Sequence, residues 1–429
     1  MVSLSYFQEM IERFVVFSKL KQYFPILMWG FGALAFMTQY ACRVAPSGLI
    51  TQINDAFNIG YAASGSINSF FLVAYVMMQL IVGRIVDRYQ PHKVLITTTF
   101  VFFAANQLFS EAIHIHELII ARFIMGLTGA FAFVTTMKLA IIWYENRFLG
   151  VFSGMTQVSG MLGTVLGYQL VDYLLIGDNW RPVLKVLSLL LGTLVLLMII
   201  FMRDKPGYSE KRKDDVSLLS GLKSVWSNPQ SWFNALFAGL IYLPTATFGE
   251  YWGIQYLTDT NILIDKHQAV TAVSMIFIGF SVGGVMLGAL SDFYKKRKPM
   301  MLVTPCCCLA VILPVLYWHA MPVWMLYTAM ILYGFFNSGL ILSYAVSGEI
   351  NPENVSGVSI AFCNMLSVLL GTIAMPLFGL ILEEVTSIPG MSSIEAFEYA
   401  AVLFPVALAL AFFVALGIHE THCKKFQDA

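Results

Sequence analysis

A chain of 429 residues that is 58% apolar and only 12% charged, with a mean hydropathy of +0.74, is not a string of soluble domains. Ordinary globular chains hold roughly 25% charged residues. The 25 Lys and Arg balance the 25 Asp and Glu, so the formal charge is zero and a nucleic-acid partner has no electrostatic basis.

Residues 1–23 read as a cytoplasmic amphipathic segment with Arg13, Lys19 and Lys21 near its end. They lack a small-residue cleavage site, so a signal peptide is not expected. Stretches able to cross about 30 Å of hydrocarbon as helices follow at 24–47, 64–83, 94–113, 118–143, 149–176 and 182–202, making an N-terminal half over 24–202. A polar cytoplasmic linker over 203–230 separates them from a second set at 231–257, 269–290, 299–318, 322–345, 356–382 and 397–418. That second half covers 231–418, and a cytoplasmic tail covers 419–429. The expected fold is all-α, with twelve transmembrane helices in two pseudo-symmetric six-helix halves embedded in the lipid bilayer. Gly163, Gly167, Gly284 and Gly288 are expected to let helices approach closely, and Pro244 and Pro376 to bend theirs.

With both chain ends cytoplasmic, 19 of the 25 Lys and Arg face the cytoplasm. Only Arg181, Lys185 and Lys266 face the other side, while Arg43, Arg122 and Lys138 lie within spans. The positive-inside rule therefore predicts cytoplasmic termini. The cysteines, Cys42, Cys306 to Cys308, Cys363 and Cys423, form neither a disulfide framework nor a CxxC pair, and the histidines make no metal-ligand pattern. No cofactor or metal is expected.

The halves repeat. Gly83 and Asp87 follow the second span at the spacing that Gly288 and Asp292 keep after the eighth, 205 residues later, and Glu145 and Glu349 recur within one position of that offset. Two parallel six-helix repeats are a transporter signature with the binding site at their interface. The repeated loop resembles motif A of the major facilitator superfamily. So do Arg122 to Gly126 opening the fourth span, the series Gly154, Gly160, Gly163, Gly167 on the fifth, and Arg203 to Pro206 closing the sixth. In the first motif A, Gln90 and Pro91 replace a usual glycine and a usual basic residue. Within the superfamily, Tyr40 to Ser47, Asn179 to Arg181 and Gly249 to Gly253 are similar to the anion:cation symporters and, more so, to the phagosomal nutrient transporters of intracellular gammaproteobacteria. The former commonly set a carboxylate where this chain has Cys42 and Gly129. That resemblance implies a bacterial inner-membrane protein, expected to be a monomer.

An ionisable group inside a membrane bundle is expensive enough to be a functional candidate. Arg43 shares a helix face with Gln39 one turn earlier, and an arginine can clamp a carboxylate or phosphate through two hydrogen bonds. It could equally be a snorkelling residue or half of a structural pair. Glu250, on the pseudo-symmetric seventh span, is the clearest buried carboxylate and the candidate for proton coupling, or else a static partner of Arg43. Arg122 fits a cavity position. Lys138, 16 residues on and about 160° around the helix, does not share its site. Asp172 reads as interfacial. Neutral polar stripes run along single faces: Asn68, Tyr75 and Gln79; Gln157, Thr164 and Tyr168; Tyr333, Asn337 and Tyr344; with Asn364 as an addition. They suit a cavity that binds solute by amides and phenols, or bonds between helices. Asp87, Arg88 and Asp292 are expected to gate by charge pairs between the halves.

The resulting expectation is a secondary transporter, not an enzyme, importing a small polar nutrient (an amino acid, nucleoside or small organic anion) by alternating access with proton symport. No Walker loop is present, so an ion or solute gradient must supply the energy. Exporters of drugs or metabolites, carboxylate siderophore carriers and nutrient sensors on a transporter fold are the alternatives.

Overall fold

The computed structural model describes residues 24–144, 149–177, 179–203, 205, 218–261, 263–352 and 355–424. Glu145, Asp204, Pro206 and the segment 1–23 fall outside them, as does the side chain of Asp87. Among the described residues nine helices are long and apolar enough to cross a membrane. They are α2 (Tyr61–Arg88), α3 (Pro91–Glu111), α4 (Ile115–Tyr144), α6 (Arg181–Phe201), α8 (Lys266–Tyr294), α9 (Lys298–Tyr317), α10 (Val323–Glu349), α11 (Ser356–Thr386) and α12 (Ser393–Leu416). The described residues also hold α1 (24–44), α5 (Leu149–Leu174) and α7, built from Pro229–Pro244, Thr245–Trp252 and Gly253–Thr260, which with the nine make twelve. All three take part in the central site.

The ends follow local chemistry. Proline opens α3, α6, α7 and α9, where its missing N–H is no loss. Reciprocal capping boxes start α8 (Asp265 with Gln268) and α12 (Ser392 with Glu395). Large apolar side chains such as Met77, Leu189, Leu196, Val285 and Phe413 stay exposed on the outside of the bundle, the surface a bilayer covers. A short helix at Leu218–Ser227 lies in the predicted linker, which the sequence reading left without structure.

The halves meet along α2 with α11 and α5 with α8, with α1 and α7 between them. Within the first half, α1 and α5 touch backbone to backbone. A Cβ on Gly163 would come within 2.0 Å of the Met37 carbonyl oxygen, and one on Gly167 within 2.6 Å of that of Ala41. Gly284 faces the Ile341 side chain, but Gly288 meets nothing within 4 Å, so the close approach expected there does not occur. Three interruptions are local. After α1 the chain tightens into a 3₁₀ turn, Ala45–Leu49, containing Pro46. After Pro244 the α7 backbone widens into a π-helical run, Thr245–Trp252. The third is a break in α10 at Ser338 and Gly339, inside the stretch 322–345 expected to form one helix.

Candidate functional site

The site forms where the end of α1 meets the π-helical part of α7. Arg43 is 5% exposed and Glu250 3%, and an Arg43 Nη2 donates to Glu250 Oε2 at 2.5 Å. Tyr242, eight residues earlier on α7, donates its hydroxyl to the other carboxylate oxygen at 2.5 Å. Both oxygens of Glu250 are therefore occupied. The guanidinium carbon of Arg43 also lies 5.2 Å from the Tyr40 ring centre, 5.6 Å from Phe71 and 5.9 Å from Tyr75, so aromatic faces surround the cation. A buried pair of this kind is weak evidence for stability, but removing one partner strands the other charge at a cost of about 3–5 kcal/mol.

The pair bridges the two halves and belongs to a layer of such bridges. Ser47 donates to the Tyr251 carbonyl at 2.8 Å. The Tyr251 hydroxyl donates to the Ser64 carbonyl at 2.8 Å and also meets the Ser64 hydroxyl at 2.6 Å. Tyr168 donates to the Gly249 carbonyl, and Gln255 to the Tyr61 hydroxyl at 3.2 Å. The Ala62 amide donates to Glu383 at 3.1 Å, and His267 pairs with Asp172. These residues lie at the end of α1, the start of α2, the ends of α5, α7 and α11 and the start of α8. All of them point to the face opposite the one that holds residue 24, residue 424 and the linker. Toward that second, terminal face from Arg43, polar groups are only half-buried: Tyr75, Gln79, Gln157, Tyr344 and Asn364. The Tyr75 hydroxyl stands against the amides of Gln79 and Asn364, and Tyr344 donates to Asn364 at 2.8 Å. Gln39 is 3% exposed, and both of its amide atoms lack a partner among the described residues.

The sequence-predicted residues divide into groups. Gln39, Arg43 and Glu250 lie at the buried junction of α1 and α7, Tyr75, Gln79 and Asn364 meet around the Tyr75 hydroxyl, and Gln157 is half-buried on α5. Tyr168 is fully buried and spent on the bridge to Gly249. Tyr333 and Asn337 are also fully buried: both hold Thr245, at 3.1 and 2.8 Å, and Asn337 donates to the Ile241 carbonyl at 2.7 Å. They tie α10 to α7. Asn68 accepts from Arg122, which is 1% exposed and also donates to the carbonyls of Cys42 and Arg43. Asp292 pairs with Arg297 at 2.6 Å inside its own half instead of across the interface. Arg88 is exposed beside the Tyr89 ring. Tyr40, Tyr242 and Tyr251 were missed. Tyr242 shared no simple helical face with Glu250 in the sequence, because the π-helical run that brings them together is a tertiary feature of α7.

Among the described residues, helices in two halves that meet at a buried ion pair define a polytopic membrane architecture. The Major Facilitator Superfamily profile matches residues 31–263, more than half of the chain, and the chain belongs to that family of membrane transporters. The chain is 25% identical to Protein spinster homolog 1 of Xenopus laevis over 61% of its own length and 53% of the relative's. It is 26% identical to a probable sulfoacetate transporter, SauU, of Cupriavidus necator over 63% of this chain and 66% of that one. It thus spans about half to two thirds of the length of these curated relatives. A crystal structure of a bacterial homolog of the human lysosomal transporter Spinster, inward-facing and unoccupied, superposes with a TM-score of 0.73 at 13% identity, covering 92% of this chain and 98% of that one. The fold is shared.

Proposed function

We propose that this protein is a proton-coupled importer of a small polar nutrient, working by alternating access, with its chain ends in the cytoplasm of a bacterial cell. On this reading the terminal face is cytoplasmic, the face sealed by the bridging layer is outer, and the state described above faces inward. Within the superfamily the reading sits with the phagosomal nutrient transporters. The observation that supports it most is the Arg43–Glu250 pair, one buried charge from each half.

The chemistry follows from competition. A carboxylate, sulfonate or phosphate of the solute matches the guanidinium fork of Arg43 and displaces Glu250 from it. Glu250, released from its cation, is the group that takes up the coupled proton. A neutralised Glu250 no longer ties α7 to α1, so solute and proton together loosen the bridge that each half holds alone. Gln39, one turn from Arg43 and with two amide atoms unpartnered among the described residues, and the amides of Gln79, Gln157 and Asn364 offer hydrogen bonds to the rest of the solute. Of the three solute classes, amino acid, nucleoside and small organic anion, the arginine fork suits the last best, and a relative named for sulfoacetate is in keeping with that.

A thermal-shift screen of the purified protein against amino acids, nucleosides, carboxylates and sulfonates tests this, since a ligand that binds the folded state raises its melting temperature. The expected hit is a small organic anion whose shift disappears in Arg43→Ala. Hits confined to bulky lipophilic compounds would redirect the assignment to export.

A further inference from the structure

In an α-helix each carbonyl accepts from the N–H four residues on. Two carbonyls of α7, one at each end of its π-helical run, have that donor turned elsewhere. At the start, the Thr245 N–H donates to the Tyr242 carbonyl instead of to Ile241, and the Asn337 amide of α10 serves the Ile241 carbonyl at 2.7 Å. At the end, the Gly253 N–H donates to the Phe248 carbonyl, five residues back, instead of to Gly249, and the Tyr168 hydroxyl of α5 serves the Gly249 carbonyl. Tyr168 and Asn337 are both fully buried, in surroundings where a carbonyl without a donor is costly. π-helical turns are rare, and these two side chains supply the hydrogen bonds that the wider register forgoes. Asn337 is itself fixed: it accepts from the Thr245 hydroxyl at 2.8 Å and is the last residue before the break in α10, so the interruptions of α7 and α10 are clasped together.

The two supports belong to different halves. Asn337 moves with α7, whereas Tyr168 reaches it from the opposite half. Without the Tyr168 hydroxyl, the Gly249 carbonyl is satisfied most directly by the Gly253 N–H, which is the α-helical bond. We propose that Tyr168 is a positioning residue for Glu250: from across the interface it holds α7 in the π-helical register, and in that register Glu250, the residue after Gly249, meets both Arg43 and Tyr242. When Tyr168 withdraws, the Gly253 N–H returns to Gly249 and Glu250 turns off Tyr242. Separation of the halves is thereby converted into a change of surroundings at one carboxylate. The consequence for coupling rests on the transport reading proposed above; the control of register does not.

The test is a double-mutant cycle read by melting temperature, without flux, so its failure and the failure of the transport reading are distinguishable. Tyr168→Phe removes one hydroxyl and keeps the ring packed 6.1 Å from that of Phe277. Ser47→Ala is the control, since it removes a bond of the same kind across the same interface, to the Tyr251 carbonyl, and leaves Gly249 alone. Each is combined with Tyr242→Phe. If Tyr168 sets the register, Tyr242 and Glu250 are already apart in Tyr168→Phe, and the further loss on Tyr242→Phe shrinks several-fold there while keeping its full size in Ser47→Ala. Additive losses with Tyr168→Phe, or the same shrinkage in Ser47→Ala, overturn the assignment. Should Tyr168→Phe fail to fold, a crystal structure of the unaltered protein decides. The π-helical register and the bond from Tyr168 to Gly249 found together, or both absent, uphold the assignment; either one without the other refutes it.

Discussion

Two arginine–carboxylate clusters sit at opposite ends of this molecule, and they are built for different tasks. At the terminal face, Arg297 at the start of α9 reaches Asp292 at 2.6 Å and Glu349 at 2.8 Å, and donates to the Ser291 hydroxyl at 3.0 Å. Its backbone amide donates to Glu420 at 2.8 Å, and Thr421 adds a hydrogen bond to Glu349. Every partner is in the second half, so the cluster staples the ends of α8, α9 and α10 and the chain after α12 into one rigid unit. Among the described residues Arg43 has one carboxylate partner, and it lies across the interface. An ion pair inside a half can persist through a rocking motion, whereas one between halves must break. On the transport reading proposed above, the same chemistry serves as a staple in one place and a gate in the other, and the difference lies in which helices supply the charges.

Mutations can sharpen that contrast, beginning with the largest effect. Arg43→Ala strands Glu250 and is expected to destabilise the inward-facing state by about 3–5 kcal/mol and to abolish solute binding. Adding Glu250→Gln should restore much of the melting temperature and none of the binding; restored binding would break the gate assignment. Tyr242→Phe removes one hydrogen bond to a charged acceptor, about 1.5–3 kcal/mol, and should lower proton-driven uptake roughly tenfold or more while leaving the solute thermal shift in place. Arg297→Ala should lower the melting temperature by an amount equivalent to about 1–3 kcal/mol and leave the KM for solute unchanged, because its partners move with it. A KM change of tenfold would mean that the staple takes part in the cycle.

The smallest effect belongs to the latch between His267 on α8 and Asp172 on α5. A pair of this kind near the surface is worth about 0–1 kcal/mol, so His267→Ala should change the melting temperature little and raise the accessibility of a cysteine placed at Ser47 only slightly; a large rise would make this latch a main hold between the halves.

Much of the fold was legible because hydropathy over about 20 residues and the glycine and aspartate repeat are one-dimensional signals. Arg43 and Glu250 were legible for a related reason, since charges in apolar spans are conspicuous. What the sequence concealed depends on backbone detail or on pairing. The π-helical turn that aims Glu250 at Tyr242 follows Pro244, where only a bend was expected. Tyr168, Tyr333 and Asn337 sit on polar stripes, yet their hydrogen bonds are spent between helices, a distinction that spacing along one helix does not contain. Asp292 looked like half of an inter-half gate because its motif repeats, while the position of Arg297 in three dimensions gives it a partner in its own half.

The account turns on Glu250 exchanging Arg43 for a proton. In proteoliposomes, Glu250→Gln should retain exchange of labelled solute across the membrane, since a neutral side chain mimics the protonated state, but lose accumulation driven by an inward proton gradient. Accumulation equal to that of the native protein would contradict it.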